Sequence, residues 1–209
     1  ARVPSPFDYA RQTRLFVVRD LSKGSIEQLA AAYRALMTAS GGGALGLFTS
    51  IARLRATHRR LAPALAEAGL ALYAQHVDPF DTTTLVDIFR AEVDASLLGT
   101  DAVRDGVDVP GRSLRLVVFD RVPWPRPDIR HRARREIFGG KLYDEEIVRR
   151  RLRQAFGRLI RRADDRGVFV MLDGALPTRL LSAFPDGVPI ARVGLAEAVA
   201  ATRAFLSNE

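Results

Sequence analysis

The sequence predicts an α/β fold, with a mostly parallel central sheet flanked by helices in three layers. Short apolar runs recur along the 209 residues, and each is followed by a stretch of helical character. Alternation of this kind builds βαβ units with right-handed crossovers. The runs are compact and apolar throughout, as strands covered on both faces are. At 47% hydrophobic, a chain of this length has material for one sizeable core.

The elements follow in order. Residues 1–12 carry two prolines and read as loop. RLFVV (14–18) is β-like. Ser25 with Gln28 resembles a capping box that opens a helix to about residue 40, where Gly41, Gly42 and Gly43 stop it. ALGLFTS (44–50) reads as a buried strand, and a helix follows over 51–68 with Pro63 as a break point. LALYAQ (70–75) is strand-like, 82–90 helical and ASLLGT (95–100) a strand. SLRLVVFDRV (113–122) carries the strongest strand pattern, and PWPRP (123–127) is loop. A basic helix is expected over 144–162, a central strand at GVFVMLD (167–173) and a closing helix over 195–206. No repeat or low-complexity tract interrupts the chain. Ligands of such sheets sit at the carboxyl ends of the strands, which directs attention to the segments after 44–50, 95–100 and 113–122.

Charge adds a second constraint. Lys+Arg number 32 against 24 Asp+Glu, for a net charge of +8; only Lys23 and Lys141 are lysines. Residues 121–166 hold 15 of the cations and 7 of the anions, a surplus equal to the whole net charge. A local, arginine-borne excess suits a polyanion, because the guanidinium fork matches phosphate oxygens. The competing reading is a solvated helix face, which suits Arg149, Arg150, Arg151 and Arg153. With no cysteine there is no disulfide scaffold, cysteine-ligated zinc or Fe–S cluster in this chain. No apolar run reaches the roughly 18 residues of a membrane span, and no leader pattern is present. A soluble, cytoplasmic protein is expected. The opening on Ala1 reads as a fragment of a longer one.

Three segments carry candidate chemistry. Thr49 and Ser50 stand between a strand and a helix, where hydroxyls and free N–H groups hold phosphate or simply cap the helix. DAVRDGVDVPG (101–111) offers Gly106 for close backbone approach and Asp108 as an acceptor for a ribose hydroxyl; an ordinary Asp-Gly loop fits equally. QAFGRLIRR (154–162) places Gln154, Arg158 and Arg161 at i, i+4 and i+7, one face of a helix, with the small Gly157 beside them. Two guanidinium groups there suit a triphosphate, and a salt-bridged helix is the plain alternative. His58, His76 and His131 lack ligand spacing, so no metal site is expected. Trp124 between prolines is either a base-stacking residue or a loop anchor.

In this order the segments resemble the second RecA-like (P-loop NTPase-type) motor domain of superfamily-2 helicases, in particular the DinG/XPD group of ATP-dependent DNA helicases. SPFDY (5–9) is similar to the segment after the first-domain motifs, GGGALGLFTSIARL (41–54) to motif IV, and DGVDVPG (105–111) to motif V. VVFDRVPWPRP (117–127) is similar to the stretch that follows motif V. QAFGRLIRRADDRGVFVMLD (154–173) is similar to motif VI and its strand, and is the most specific match. The resemblance implies an interdomain segment at 1–12 and one RecA-like domain at 13–209. It implies Arg158 and Arg161 as arginine fingers facing the γ-phosphate, and Gln154, Gly157, Gly106 and Asp108 at the nucleotide. Thr49, Ser50 and Thr100 would touch single-stranded DNA. Arg104–Asp105 before Gly106 and Ile51 after Ser50 depart from the group's aromatic residues, which puts its particular DNA contacts in question. No G-x-x-x-x-G-K-[ST] loop or D-E-A-H-type motif occurs; in the group these lie on the first motor domain, as do its Fe–S cysteines. ATP and Mg²⁺ would therefore be held mainly by that domain. The partners implied are the N-terminal motor domain of the same protein and single-stranded DNA, with 5′→3′ movement and no membrane. Alternatives are a stand-alone binding module without ATPase activity and a dinucleotide or nucleotide-sugar enzyme. The last would need a glycine fingerprint after its first strand, whereas Gly41, Gly42 and Gly43 precede one.

The reading places a condition on the structure. The two guanidinium groups must lie on the sheet's ligand-bearing edge and outside its apolar interior.

Overall fold

The computed structural model describes residues 6–101, 103, 109 and 111–207. Gly106 and Asp108, with Arg104 and Asp105, lie outside the described residues. Alternating strands and helices run as follows: α1 (Tyr9–Gln12), β1 (Thr13–Val18), α2 (Ile26–Ala39), β2 (Ala44–Leu47), α3 (Ile51–Glu67), β3 (Leu72–Ala74), α4 (Thr82–Ala91), β4 (Ser96–Gly99), β5 (Leu116–Phe119), α5 (Ile129–Ile137), α6 (Lys141–Phe156), β6 (Gly167–Met171), β7 (Ile190–Val193) and α7 (Leu195–Ser207). Short 3₁₀ turns occupy Gly111–Ser113 and Thr178–Ala183.

The seven strands form one sheet in the order β3-β4-β2-β5-β6-β1-β7. Every pairing is parallel, so the expected mostly parallel sheet is wholly so among the described residues. Side chains alternate across it. Leu15 and Val17 of β1 face a core built with α4, α6 and the 178–183 turn. Phe16 and Val18 face the opposite core, built with α2, α3 and α7. With a side-chain period of two and helices over both faces, both residue sets must be apolar, hence the continuous runs.

The starts of the helices were more legible than their ends. Ser25 caps α2 by accepting from Gln28 N at 3.1 Å. The reciprocal half of the expected box goes elsewhere, since Gln28 Oε1 accepts from Ser22 N at 2.8 Å. Pro63 sits inside α3 without ending it. The basic helix expected over 144–162 is α6, which starts earlier, at Lys141, and stops at Phe156. α1, inside the stretch expected as loop, and α5 and β7 had no counterpart in the sequence reading.

The turn before β2 is held by Arg115. Its guanidinium donates to the carbonyl oxygens of Ser40 (2.8 Å), Gly41, Val93 (3.0 Å) and Arg112 (2.6 Å), and to Asp94 Oδ1 (2.7 Å). The chain can pass so close because Gly42 and Gly43 take φ of +84° and +57°. A Cβ on Gly43 would stand 2.3 Å from Arg115 Nη1, and one on Gly42 1.9 Å from the Asp94 carbonyl oxygen.

Candidate functional site

All strands run the same way, so the sheet has a carboxyl edge and an amino edge. The residues expected to act together divide between them.

At the carboxyl edge, Thr49, Ser50 and Thr100 follow β2 and β4, and all three are half-buried. Ser50 occupies the cap position of α3 but its side chain makes no capping bond, so its hydroxyl is not consumed by the helix. The first N–H groups of this 17-residue helix therefore carry the positive end of its dipole without a side-chain cap. Thr49 is held from both sides. Its N–H donates to Asp120 Oδ1 at 3.0 Å, and its carbonyl accepts from Arg126 Nη2 at 3.0 Å. Thr100 is tied to Gln75, to whose Oε1 both its N–H (3.0 Å) and its hydroxyl (2.8 Å) donate. Gln75 Nε2 in turn donates to Thr82 Oγ1 at 3.0 Å. A phosphate oxygen only accepts, so it would have to displace Gln75 to bond the Thr100 hydroxyl. Thr49 and Thr100 line a groove of about 620 Å³ together with Trp124, and Arg126, Arg130, Arg134, Arg150 and Arg151 line it too. The basic helical surface is thus partly a groove wall. Arg149, by contrast, faces Glu145 (3.2 Å) and Glu146 (3.6 Å), as a salt-bridged helix face does.

Asp120 escaped the sequence reading because it closes an apolar run. The signal was an acidic residue directly after a strand, at the ligand-bearing end. It is 2% exposed and pairs with Arg53 Nε at 2.8 Å as well as with Thr49. Burial pushes its carboxyl above the usual range, while the bonds from Arg53 and Thr49 pull it down. Asp120→Ala strands two donors, and is expected to cost about 1–3 kcal/mol in denaturant unfolding. Asp120→Asn keeps an acceptor for Thr49 and should cost less. The folded carboxyl holds its proton to higher pH than the unfolded one. The wild type should therefore lose stability as pH rises from the ordinary carboxylate range through the raised value, and Asp120→Asn should flatten that slope. An unchanged slope would show that Asp120 does not titrate in this way.

At the amino edge lies the segment between α6 and β6. Gly157 closes the helix, its N–H still bonding Arg153 O at 2.9 Å. Arg158 N and Leu159 N then make i−3 bonds, to Ala155 O (3.2 Å) and Phe156 O (3.0 Å). Gln154, Arg158 and Arg161 consequently do not share a helical face. Gln154 and Gly157 are exposed at the end of α6, Arg158 is half-buried in the turn, and Arg161 is exposed in the following bend. The physical reason is local. Glycine is a poor helix former, adjacent Leu159 and Ile160 are both buried, and Asp165 captures the next backbone donors. Asp165 Oδ2 accepts from Arg161 N (2.7 Å) and Arg162 N (2.8 Å). Gln12, the last residue of α1, donates through Nε2 to the carbonyls of Arg162 (3.0 Å), Ala163 (3.1 Å) and Asp165 (3.0 Å). Gln12 and Asp165 were both missed, and together they fix the arginine-bearing loop. Tyr9 packs on Phe156 at 5.9 Å between ring centres, so residues 6–12 lie against the same loop.

The condition set by the sequence reading is met only in part. Arg161 is outside the apolar interior, but the pair sits at the amino edge, opposite Thr49, Ser50 and Thr100. β6 alone spans about 16 Å between the edges, at ~3.3 Å per residue. The arginine pair thus departs from the rule that ligands of open α/β sheets sit at the carboxyl ends of the strands. Among the described residues no group of three or more His, Cys, Asp or Glu is placed to hold a metal ion. His131 pairs with Asp144 at 2.8 Å. No helix of the described residues is long and apolar enough to cross a membrane.

Comparison with known proteins identifies the arrangement. The profile of the helicase C-terminal domain matches residues 33–189. The ATP-dependent helicase DinG of Mycobacterium tuberculosis is 40% identical over 189 residues, covering 84% of this chain and 28% of the helicase. The ATP-dependent DNA helicase YoaA of Escherichia coli is 37% identical over 190 residues, covering 85% and 29%. The chain thus spans under a third of the length of these relatives. Among solved structures, an XPD helicase superposes with a TM-score of 0.60 at 16% identity, over 87% of this chain and 35% of that one. The C-terminal domain of the DEAD-box protein Dbp5 gives 0.57 at 16% identity, over 96% and 99%. These likenesses show the fold, a RecA-like helicase domain. With the profile covering well over half of it and DinG helicases among its relatives, the chain belongs to the helicase C-terminal domain family.

Proposed function

We propose that this chain is the C-terminal half of an ATP-dependent DNA helicase. In this reading its amino edge faces ATP held by a neighbouring motor domain, and its carboxyl edge carries single-stranded DNA. The relatives' names support the activity, and the separation of the two edges supports the division of labour. The observation that carries it is the loop of Arg158 and Arg161, fixed by Asp165 and Gln12 yet presenting Arg161 outward. A rigid backbone pre-orients a guanidinium for charge that develops on a transferring phosphoryl group. Gln154 and Gly157 border the same loop and would lie at the nucleotide, joined by Gly106 and Asp108. Mg²⁺, whose ligands would come from the neighbouring domain, would neutralise phosphate charge there. At the other edge Thr49, Ser50 and Thr100, with the groove arginines, would follow the DNA backbone. Residues 1–12 would join the two motor domains and 13–209 form the second. Closure on ATP and opening after hydrolysis would move the strand past both.

The purified chain is expected to bind a labelled single-stranded oligonucleotide and to show no ATP turnover. Three to five phosphate contacts predict a slope of log K against log salt of about −2 to −3.5. Appreciable hydrolysis by the chain alone, or salt-independent binding, contradicts the reading.

A further inference from the structure

We propose that Trp124 is a stacking platform for an unpaired nucleobase at the carboxyl-edge groove. This rests on the reading of that groove as a single-strand site. The loop that carries the indole is unusually constrained. Pro123 and Pro125 fix their own φ, and Pro125 also restricts Trp124. Trp124 N donates to Val122 O at 2.8 Å. Arg151 of α6 reaches across to the carbonyls of Pro123 (2.9 Å) and Trp124 (3.3 Å), and Val122 N donates to Asp173 Oδ2 (3.3 Å) just beyond β6.

That scaffolding does not bury the ring. Trp124 is 41% exposed and lines the groove beside Thr49 and Thr100. A loop anchor turns its ring into the core; this one is anchored by its backbone and leaves the ring toward the groove. The neighbouring aromatic residues are already engaged. Tyr143 stacks with both His131 and Phe138, each at 5.7 Å between ring centres. Among the described residues no aromatic ring stacks on the indole. Arg126, Arg130, Arg134 and Arg150 line the same groove and would meet phosphates. Cations for the backbone beside an open aromatic face for the base is the composition of a single-strand site. The bases of a duplex are stacked on one another, so the ring selects for an unpaired one.

Trp124 is the sole tryptophan, so its fluorescence reports on this ring alone. The full chain would be titrated at low salt with a thymidine oligonucleotide of about 12 nucleotides and with an abasic oligomer of equal length. Stacking predicts saturable quenching by the first and little by the second. Binding of the labelled oligomers to variants completes the test. Trp124→Ala should weaken thymidine binding about 5- to 150-fold and leave abasic binding unchanged. Trp124→Phe should retain most of the affinity, which separates stacking from loss of fold. Thymidine binding without quenching, or undiminished in Trp124→Ala, would overturn the stacking role and leave the groove reading intact. No binding of either oligomer by the wild type would remove the groove reading and this proposal with it.

Discussion

Arg161→Ala, in this chain joined to a phosphate-loop motor domain, is expected to lower ATP turnover by about 10³–10⁵ while nucleotide binding largely survives. The argument is one of timing. Charge accumulates on the transferred phosphoryl group in the transition state, so a guanidinium aimed there lowers the barrier more than it tightens the ground state. Its backbone N–H is held by Asp165 at 2.7 Å, and Gln12 holds the following residues through three carbonyls. Little reorganisation is then needed at the moment of reaction. The loss should fall on kcat, with KM nearly unchanged, and Arg161→Lys should rescue it poorly because an ammonium lacks the fork. Arg153→Ala, an exposed position on α6, serves as the control. Retained turnover in Arg161→Ala would remove that residue from the reaction, and a matching loss in Arg153→Ala would point to a general effect of charge.

The second large effect concerns stability. Arg115→Met is expected to cost about 3–5 kcal/mol, the range for removing one partner of a buried charged network. For a domain of this size that lowers Tm by about 10 °C. The ion pair with Asp94 contributes little, because the Asp94 side chain is 69% exposed. The cost comes from the carbonyls of Ser40, Gly41, Val93 and Arg112, which converge on the guanidinium where the chain enters β2. Methionine fills much of the volume and bonds none of them. Lysine keeps the charge but cannot reach four diverging oxygens, so Arg115→Lys should recover only part of the loss. Loss of the exposed Arg59 should change stability by no more than about 0.5 kcal/mol. A melt of Arg115→Met coincident with the wild type would refute this account.

The strands were legible because burial on both faces leaves an apolar run that no other element of this length requires. β7 is the exception that explains the rule. It is an edge strand whose Ile190 is 37% exposed, so its run is short and mixed. α5 was illegible for a different reason: it buries none of its residues, and its few apolar positions, Ile129, Ala133 and Ile137, stand among four arginines. Motif VI was legible as a string of residue types, whereas its geometry was not. An arginine-rich helix looks the same in sequence whether it ends at residue 156 or 162. What ends it here is the turn that opens at Gly157 and buries Leu159 and Ile160, after which Asp165 takes the N–H groups of Arg161 and Arg162.

By itself the sequence determined which residues gather into six of the seven strands, where the cations concentrate and which motifs mark a helicase C-terminal domain. Those properties depend on residue type and spacing, and both are written along the chain. The tertiary structure decided that Arg161 and Thr49 belong to opposite edges of one parallel sheet. It also decided that Asp120 holds Thr49, that Gln75 holds Thr100, that Gln12 holds the loop of Arg161, and that Trp124 faces a groove. Each of these depends on which strand lies beside which. β2 and β5 are adjacent although about 70 residues separate them in the chain, and no local pattern records a neighbour at that distance.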